Sequence, residues 1–216
     1  MDNISFEVCT PSFEIEEEYL TWDCTDVGET TVTLTVTDVN GNTSSCESIV
    51  TVEDNVDPEA ICQDITVELD ENGEAVLTAA DIDGGSTDAC GIESLSIDDA
   101  DWSCDDIGEN IVTLTVTDVN GNVSTCEATV TIEDNVDPEA ICQDITVELD
   151  ENGEAVLTAA DIDGGSTDAC GLASIEIDSD DVNWGCDDIG ENTVTLTVTD
   201  NNGNVSTCDA TVTIED

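Results

Sequence analysis

Apolar and polar positions alternate along this chain with a period of two, the spacing of a strand that buries one face. Ile65, Val67 and Leu69 alternate with Thr66, Glu68 and Asp70 and predict a first strand A. Glu71-Asn72-Gly73-Glu74 reads as a hairpin turn, because Asn-Gly is the strongest short signal for one. Strand B is then expected from Ala75 to Ile82, a loop at Gly84-Gly85-Ser86, and strand C from Ile92 to Ile97. An acidic loop follows at 98–108, with room for one or two further short strands. Val112, Leu114 and Val116 then alternate with Thr113, Thr115 and Thr117. After a second Asn-Gly turn at 120–121, Cys126, Ala128, Val130 and Ile132 share one face of a last strand. Short strands with a turn signal every ten residues or so predict an all-β fold, an immunoglobulin-like antiparallel β-sandwich.

The pattern repeats. Glu53 to Gly91 recurs without change from Glu133 to Gly171, and Trp22-Asp23-Cys24 has copies at Trp102-Ser103-Cys104 and Trp184-Gly185-Cys186. The third copy carries two extra residues near Ser179–Asp180. The expected organisation is an incomplete repeat at 1–54, holding only the C-terminal half, followed by full repeats at 55–134 and 135–216. A start inside a repeat, with no signal peptide, predicts a piece of a longer tandem array.

Composition narrows the chemistry. The 216 residues include 55 Asp and Glu and no Lys, Arg or His, for a formal charge of −55. Nucleic acid and anionic membrane surfaces are excluded as partners, because both require basic side chains to neutralise phosphate. Catalysis by a His base, a Lys Schiff base or an Arg clamp is excluded too. A disordered acidic tail is not expected either, since 38% of the chain is hydrophobic and Val, Ile and Thr are abundant. No run is long and apolar enough for direct membrane insertion. With no internal cations, the repulsion must be met by cations from solution.

Eleven cysteines without histidine argue for disulfides over zinc, and so for an oxidising, extracellular or cell-surface location. Each full repeat has four, at 62, 90, 104 and 126 and at 142, 170, 186 and 208. Four cysteines allow three connectivities. The short loops Cys90–Cys104 and Cys170–Cys186 are expected, with Cys9–Cys24 as their equivalent in the incomplete repeat. Cys62–Cys126 and Cys142–Cys208 would then tie the first strand to the last. Cys46 has no partner under this scheme. Trp102 and Trp184 are expected to plug the core.

Several of these motifs resemble hyalin repeat domains: the Pro58…Cys62 start, the Thr87-Asp88-Ala89-Cys90-Gly91 loop, and the ending Val116-Thr117-Asp118-Val119-Asn120-Gly121-Asn122…Cys126. The resemblance covers both full repeats and the incomplete one. It implies immunoglobulin-like modules in tandem, in extracellular adhesive proteins that include large bacterial surface proteins, and no catalytic residues.

Strand direction turns the list of acids into a candidate site. If strand A runs down, B up, C down, the next up and the last down, three segments meet at the top of repeat 55–134. They bring Glu53, Asp54, Asn55 and Asp57 of the linker to Asp81, Asp83 and Asp88 of one loop and Asp118 and Asn120 of a turn. The next junction repeats the set as Glu133, Asp134, Asn135 and Asp137, with Asp161, Asp163 and Asp168, and Asp200 and Asn202. A hard cation that takes six to eight oxygens suits such a cluster, so calcium is expected, several ions per junction. The linker also looks like the Asp- and Asn-rich, Pro-ended linkers between cadherin domains, which bind calcium. A second acidic set, Asp98, Asp99, Asp101, Asp105 and Asp106, lies at the other end of the repeat. The predicted function is structural: a segment of a stalk, adhesin or fibre, rigidified by calcium and assembling with copies of itself through shared ions. The alternative is a calcium-dependent module binding carbohydrate or a protein receptor. Repeated acids in turns are not an active-site pattern, and no enzyme is expected.

Overall fold

The structure, a computed structural model, describes residues 12–13, 21–178 and 182–216. Strands dominate, as the period of two requires. The first repeat contributes β1 (Ser12–Phe13), β2 (Gly28–Thr37) and β3 (Thr43–Val52), in one sheet of that order. The second contributes β4 (Ile65–Glu68), β5 (Glu74–Val76), β6 (Ile92–Ile97), β7 (Asp101–Ser103), β8 (Gly108–Asp118) and β9 (Val123–Glu133). The third repeats that order as β10 (Ile145–Glu148), β11 (Glu154–Val156), β12 (Leu172–Ile177), β13 (Asn183–Gly185), β14 (Gly190–Asp200) and β15 (Val205–Glu215).

In each full repeat a four-stranded sheet, β4-β9-β8-β6 or β10-β15-β14-β12, is accompanied by a two-stranded one, β5-β7 or β11-β13. The fold is all-β. The ladders are antiparallel except one: strand A lies parallel to the last strand, with Ile145 opposite Val212 and Ile65 opposite Val130. By internal packing the chain divides into two compact units. One comprises 1–61, 85–95 and 115–125, and the other 62–84, 96–114 and 126–216. The division passes through the second repeat, and each unit contains one of the two acidic junctions.

Alternation does produce the core. Val194, Leu196 and Val198 on β14 and Ala210, Val212 and Ile214 on β15 are all buried, with Leu157, Ile162 and Trp184 packed against them. Removing each such aliphatic side chain from water contributes roughly 1.5–3 kcal/mol. The threonines between them face outward. Trp102 and Trp184 are both buried, which fits a core role rather than a stacking platform. In the first repeat Leu34, which matches buried Leu114 in the repeat, remains 39% exposed.

Strand B is shorter than its pattern suggests. It ends at Val76, and Ala79–Ile82 forms a single helical turn, α1, with Ala159–Ile162 as α2. The cause is local: the Thr78 N–H donates to Asp81 Oδ2 at 2.8 Å, a capping box that closes the turn and drives Ile82 into the core. The acidic loop 98–108 holds β7 and a 3-10 turn at Cys104–Asp106.

The cystines require a correction. Cys62–Cys126 and Cys142–Cys208 join the first strand region to the last strand. The short loops expected at Cys90–Cys104 and Cys170–Cys186 do not form. Instead Cys24 bonds Cys90 and Cys104 bonds Cys170, so that each bond runs from one repeat to the next. The Cys9–Cys24 pair is overturned with them, and Cys9 itself lies outside the described residues. Strand direction is the physical reason. β10 lies parallel to β15 and so antiparallel to β14, and the Asp150–Glu154 turn reverses β10 into β11. β11 and β14 therefore run the same way, and so do their antiparallel partners β13 and β12. Cys170 precedes that run and Cys186 follows it. A six-residue strand alone spans about 20 Å, whereas a disulfide needs its Cα atoms within about 7 Å. Among the described residues Cys46 and Cys186 are unbonded and exposed.

Candidate metal centre

Each junction is built on a turn. In Asp118-Val119-Asn120-Gly121-Asn122 the Asp118 N–H donates to the Asn122 carbonyl at 3.0 Å, and Gly121 takes a positive φ of 92° that closes the hairpin. Asp118 is fully buried, and its two carboxylate oxygens hold the turn from inside. Oδ1 accepts from the N–H groups of Asn120 and Asn122, both at 2.8 Å, and Oδ2 from the Asn122 amide at 2.8 Å. Desolvation pushes the Asp118 carboxyl upward, but the bonds from Asn122, Asn120 and Gly121 together outweigh it and keep the pKa below the usual range. Asp200 does the same work in the third repeat, accepting from Asn202, Gly203 and Asn204.

The turn then reaches the linker. The Asn122 amide also donates to the Asp54 carbonyl at 3.1 Å, and the Asn204 amide to the Asp134 carbonyl at 3.1 Å. Held this way, Asp54 meets Asp88 of the Thr-Asp-Ala-Cys-Gly loop, and Asp134 meets Asp168. The ligand atoms of Asp54, Asp88 and Cys90 lie within 4.8 Å of one another, as do those of Asp134, Asp168 and Cys170. Cys90 and Cys170 are half-cystines and carry no thiolate. What remains is a pair of carboxylates beside a disulfide.

The remaining lone pairs distinguish this pair from the other acids. Asp88 Oδ1 accepts from the N–H groups of Cys90 and Gly91, at 2.7 and 3.0 Å, and so sets the loop that presents the cysteine. Asp134 is only 7% exposed; its Oδ1 accepts from the Val136 N–H at 3.1 Å, but its Oδ2 is buried with no hydrogen-bond partner. An unpaired buried carboxylate oxygen is costly unless a cation meets it. Oxygen donors of this kind suit a hard divalent ion, so the residues fit calcium. Asn120 Oδ1 is a second buried acceptor without a partner, on the turn beside Asp54.

Other expected ligands have local tasks. Asp81 and Asp161 cap α1 and α2 through Thr78 and Thr158, whose hydroxyl and N–H bonds hold both carboxyls below the usual range. Asp163 Oδ1 accepts from the N–H and hydroxyl of Ser166, and Asp83 pairs by its backbone with Cys62. Glu53, Asn55, Asp57, Glu133, Asn135, Asp137 and Asn202 are exposed. Asn135 donates weakly to Glu133 and Glu68, at 3.4 Å. In the second acidic set Asp98 accepts from the Thr113 N–H and Asp106 from the Ser103 N–H and hydroxyl, so both serve as braces. Sequence reasoning missed Asn122 and Asn204, the side chains that fasten turn to linker; the repeated Asp-x-Asn-Gly-Asn spacing was the signal for them.

No protein-family model matches the chain, and no curated protein does. Among solved structures it is similar to human protocadherin-24 EC1-2, at 12% identity over 75% of this chain and 99% of that one, with a TM-score of 0.40. Mouse PcdhgC3 EC1-3 matches at 13% identity over 87% of this chain and 77% of that one, TM-score 0.33. Protocadherin γB7 extracellular domains 1–4 match at 11% identity over 89% of this chain and 59% of that one, TM-score 0.35. Similarity at this level carries no argument about the ion or the partner, and what the chain itself displays is an all-β tandem architecture stapled by four disulfides.

Proposed function

We propose that this chain is a structural segment of an extracellular array, a stalk, adhesin or fibre built from immunoglobulin-like repeats bounded at 55–134 and 135–216, with calcium bound at its junctions. The observation that carries the reading is the buried, unpartnered Asp134 Oδ2 beside Asp168. Asp134 and Asp168 would hold the ion, and Asp54 and Asp88 would hold its copy. Two carboxylates neutralise one divalent ion, so one ion per junction fits this arrangement better than several. Backbone carbonyls and water would complete the shell, and so sparse a charged set suits the weak affinity of extracellular modules, about 10⁻⁴–10⁻³ M. Ion binding then stabilises the folded junction by mass action. It also relieves the repulsion of a chain with no basic side chain. Calorimetric titration with calcium tests the reading. Two sites per chain are expected, reduced to one by Asp134→Asn with Asp168→Asn. A flat titration at millimolar calcium overturns it.

A further inference from the structure

The second junction sets a sulfur beside its two carboxylates. Cys170 Sγ and one carboxylate oxygen each from Asp134 and Asp168 lie within 4.8 Å of one another. The buried Asp134 Oδ2 has no hydrogen-bond partner. The Cys170 N–H donates to Asp168 Oδ1 at 2.8 Å, so this acid and its cysteine are presented by one loop. Cys104 is bonded to Cys170, with the two Cα atoms 5.2 Å apart. A Cβ built on Gly73 would stand 2.6 Å from the Cys104 sulfur and 3.4 Å from that of Cys170, so glycine there leaves both sulfurs their room. Cys104, Asp134, Asp168 and Cys170 all belong to one compact unit. The first junction gathers Asp54, Asp88, Cys90 and Cys24 in the same way, but Cys24 is exposed and Asp54 half-buried. The second is the more enclosed of the two.

We propose that opening the Cys104–Cys170 disulfide creates a four-coordinate site for a divalent ion of the zinc class, held by Cys104, Cys170, Asp134 and Asp168. Oxidised, the sulfurs offer no thiolate, and only the carboxylates can meet a cation. Reduction adds two soft donors to two hard ones, and thiolates favour zinc over calcium. A tetrahedral ion with metal–sulfur bonds of about 2.3 Å spaces its two sulfurs about 3.8 Å apart. Cysteines with Cα atoms 5.2 Å apart can span that distance once the bond is open. The reductant is a dithiol. One of its thiolates attacks a cystine sulfur, the second attacks the mixed disulfide, and the dithiol leaves as a cyclic disulfide. Two electrons pass to the cystine, and the dithiol's two protons end on Cys104 and Cys170. The ion displaces both protons to water as it binds. The site rests on the same carboxylate pair as the calcium reading, but its sulfur ligation is measured separately.

Cobalt(II) is the probe, because its thiolate charge-transfer band reports sulfur ligation and zinc displaces it. The full chain carries Cys46→Ser and Cys186→Ser, which remove the exposed thiols among the described residues. It is titrated without oxygen, both oxidised and after dithiol reduction with the excess dithiol removed. A band in the reduced chain that is absent from the oxidised one is expected. Adding Asp134→Asn with Asp168→Asn should weaken cobalt binding by more than the roughly tenfold that even an outer-shell partner is worth. A second arm needs no reduction: in the oxidised chain Cys104→Ser leaves Cys170 as a thiol beside both carboxylates, while the other three disulfides remain. A weaker, one-thiolate band is expected there, lost again with the Asn pair. A reduced-chain band that survives the Asn pair at full affinity, or a Cys104→Ser chain with no band, overturns the proposal. A flat calcium titration of the oxidised chain beside these cobalt bands would overturn the calcium reading alone.

Discussion

Asn204 grips Asp134 by the backbone carbonyl, at 3.1 Å, and leaves its carboxylate for other work. The same amide donates to Asp200 Oδ2 at 2.8 Å, so one side chain fastens the hairpin turn to the linker. The residue presenting the open Oδ2 is thus positioned from behind. In the preceding junction Asn122 does the same between Asp118 and Asp54.

Asn204→Ala removes two hydrogen bonds and leaves Asp200 Oδ2 unsatisfied in a buried turn. A loss of about 1–3 kcal/mol in urea unfolding is expected. If the amide positions the ion site, calcium affinity at the second junction should fall several-fold while the first junction stays unchanged. Equal loss at both sites would count against this positioning role.

Gly73 has φ +73°, and its missing side chain makes room for the Cys104–Cys170 disulfide. Gly73→Ala should hinder that bond and raise the number of free thiols on the oxidised chain by two. Gly165→Ala is the control, since Gly165 has φ +100° and open space around it. It should cost about 1 kcal/mol in backbone strain and leave the thiol count alone.

Asp70 and Asp150 hold their Asn-Gly turns by accepting from the N–H groups of Glu74 and Asn72, and of Glu154 and Asn152, and the Asn side chains add a further bond to each. These bonds depress both carboxyl pKa values below the ordinary range. A depressed folded-state pKa contributes stability above the unfolded value near 3.9, and that stability is lost as pH falls through the folded value. The double variant Asp70→Asn, Asp150→Asn should therefore be less stable than the natural chain at pH 7. The gap should close as pH falls through the depressed folded values, where the natural carboxyls become protonated as well. Urea midpoints from pH 7 to pH 2 check the sign, because general charge repulsion affects both chains nearly alike.

Cys142–Cys208 closes a separation of 66 residues around the third repeat's core. Replacing both cysteines by serine should lower stability by about 4 kcal/mol in the chain-entropy account, measured by urea unfolding under oxidising conditions.

Much of the fold was legible because a two-residue period leaves little choice: Val194, Leu196 and Val198 must face one way and the threonines between them the other. The Asn-Gly turns were legible for the same local reason. The helical turn at Ala79–Ile82 was hidden by apolar residues that also suit a strand, although Thr78-x-x-Asp81 carried its capping signature. The cystines failed for a different reason. Spacings of 14 and 16 favour short loops only if the chain reverses between the two cysteines, and β12 and β13 continue in one direction instead. At the junctions the division of labour among the acids was not readable from composition. Asp118 and Asp200 brace turns with both oxygens, whereas Asp134 keeps one free, a distinction set by which N–H groups fold back onto each carboxylate.

The cystines that cross from repeat to repeat change what a pulling force would meet. Tension entering at Cys24 passes through sulfur to Cys90, along the backbone to Cys104, and through sulfur again to Cys170. Residues 105–169 are bypassed on that route, although Cys126 and Cys142 within them are bonded outside it, to Cys62 and Cys208. Only the stretch from Cys90 to Cys104 can pay out, roughly 50 Å when fully drawn, where an unstapled repeat would release several times as much. Oxidised, the path from Cys24 to Cys170 is a short tether; reduced, it becomes a long, yielding one, and the redox state of its surroundings decides which.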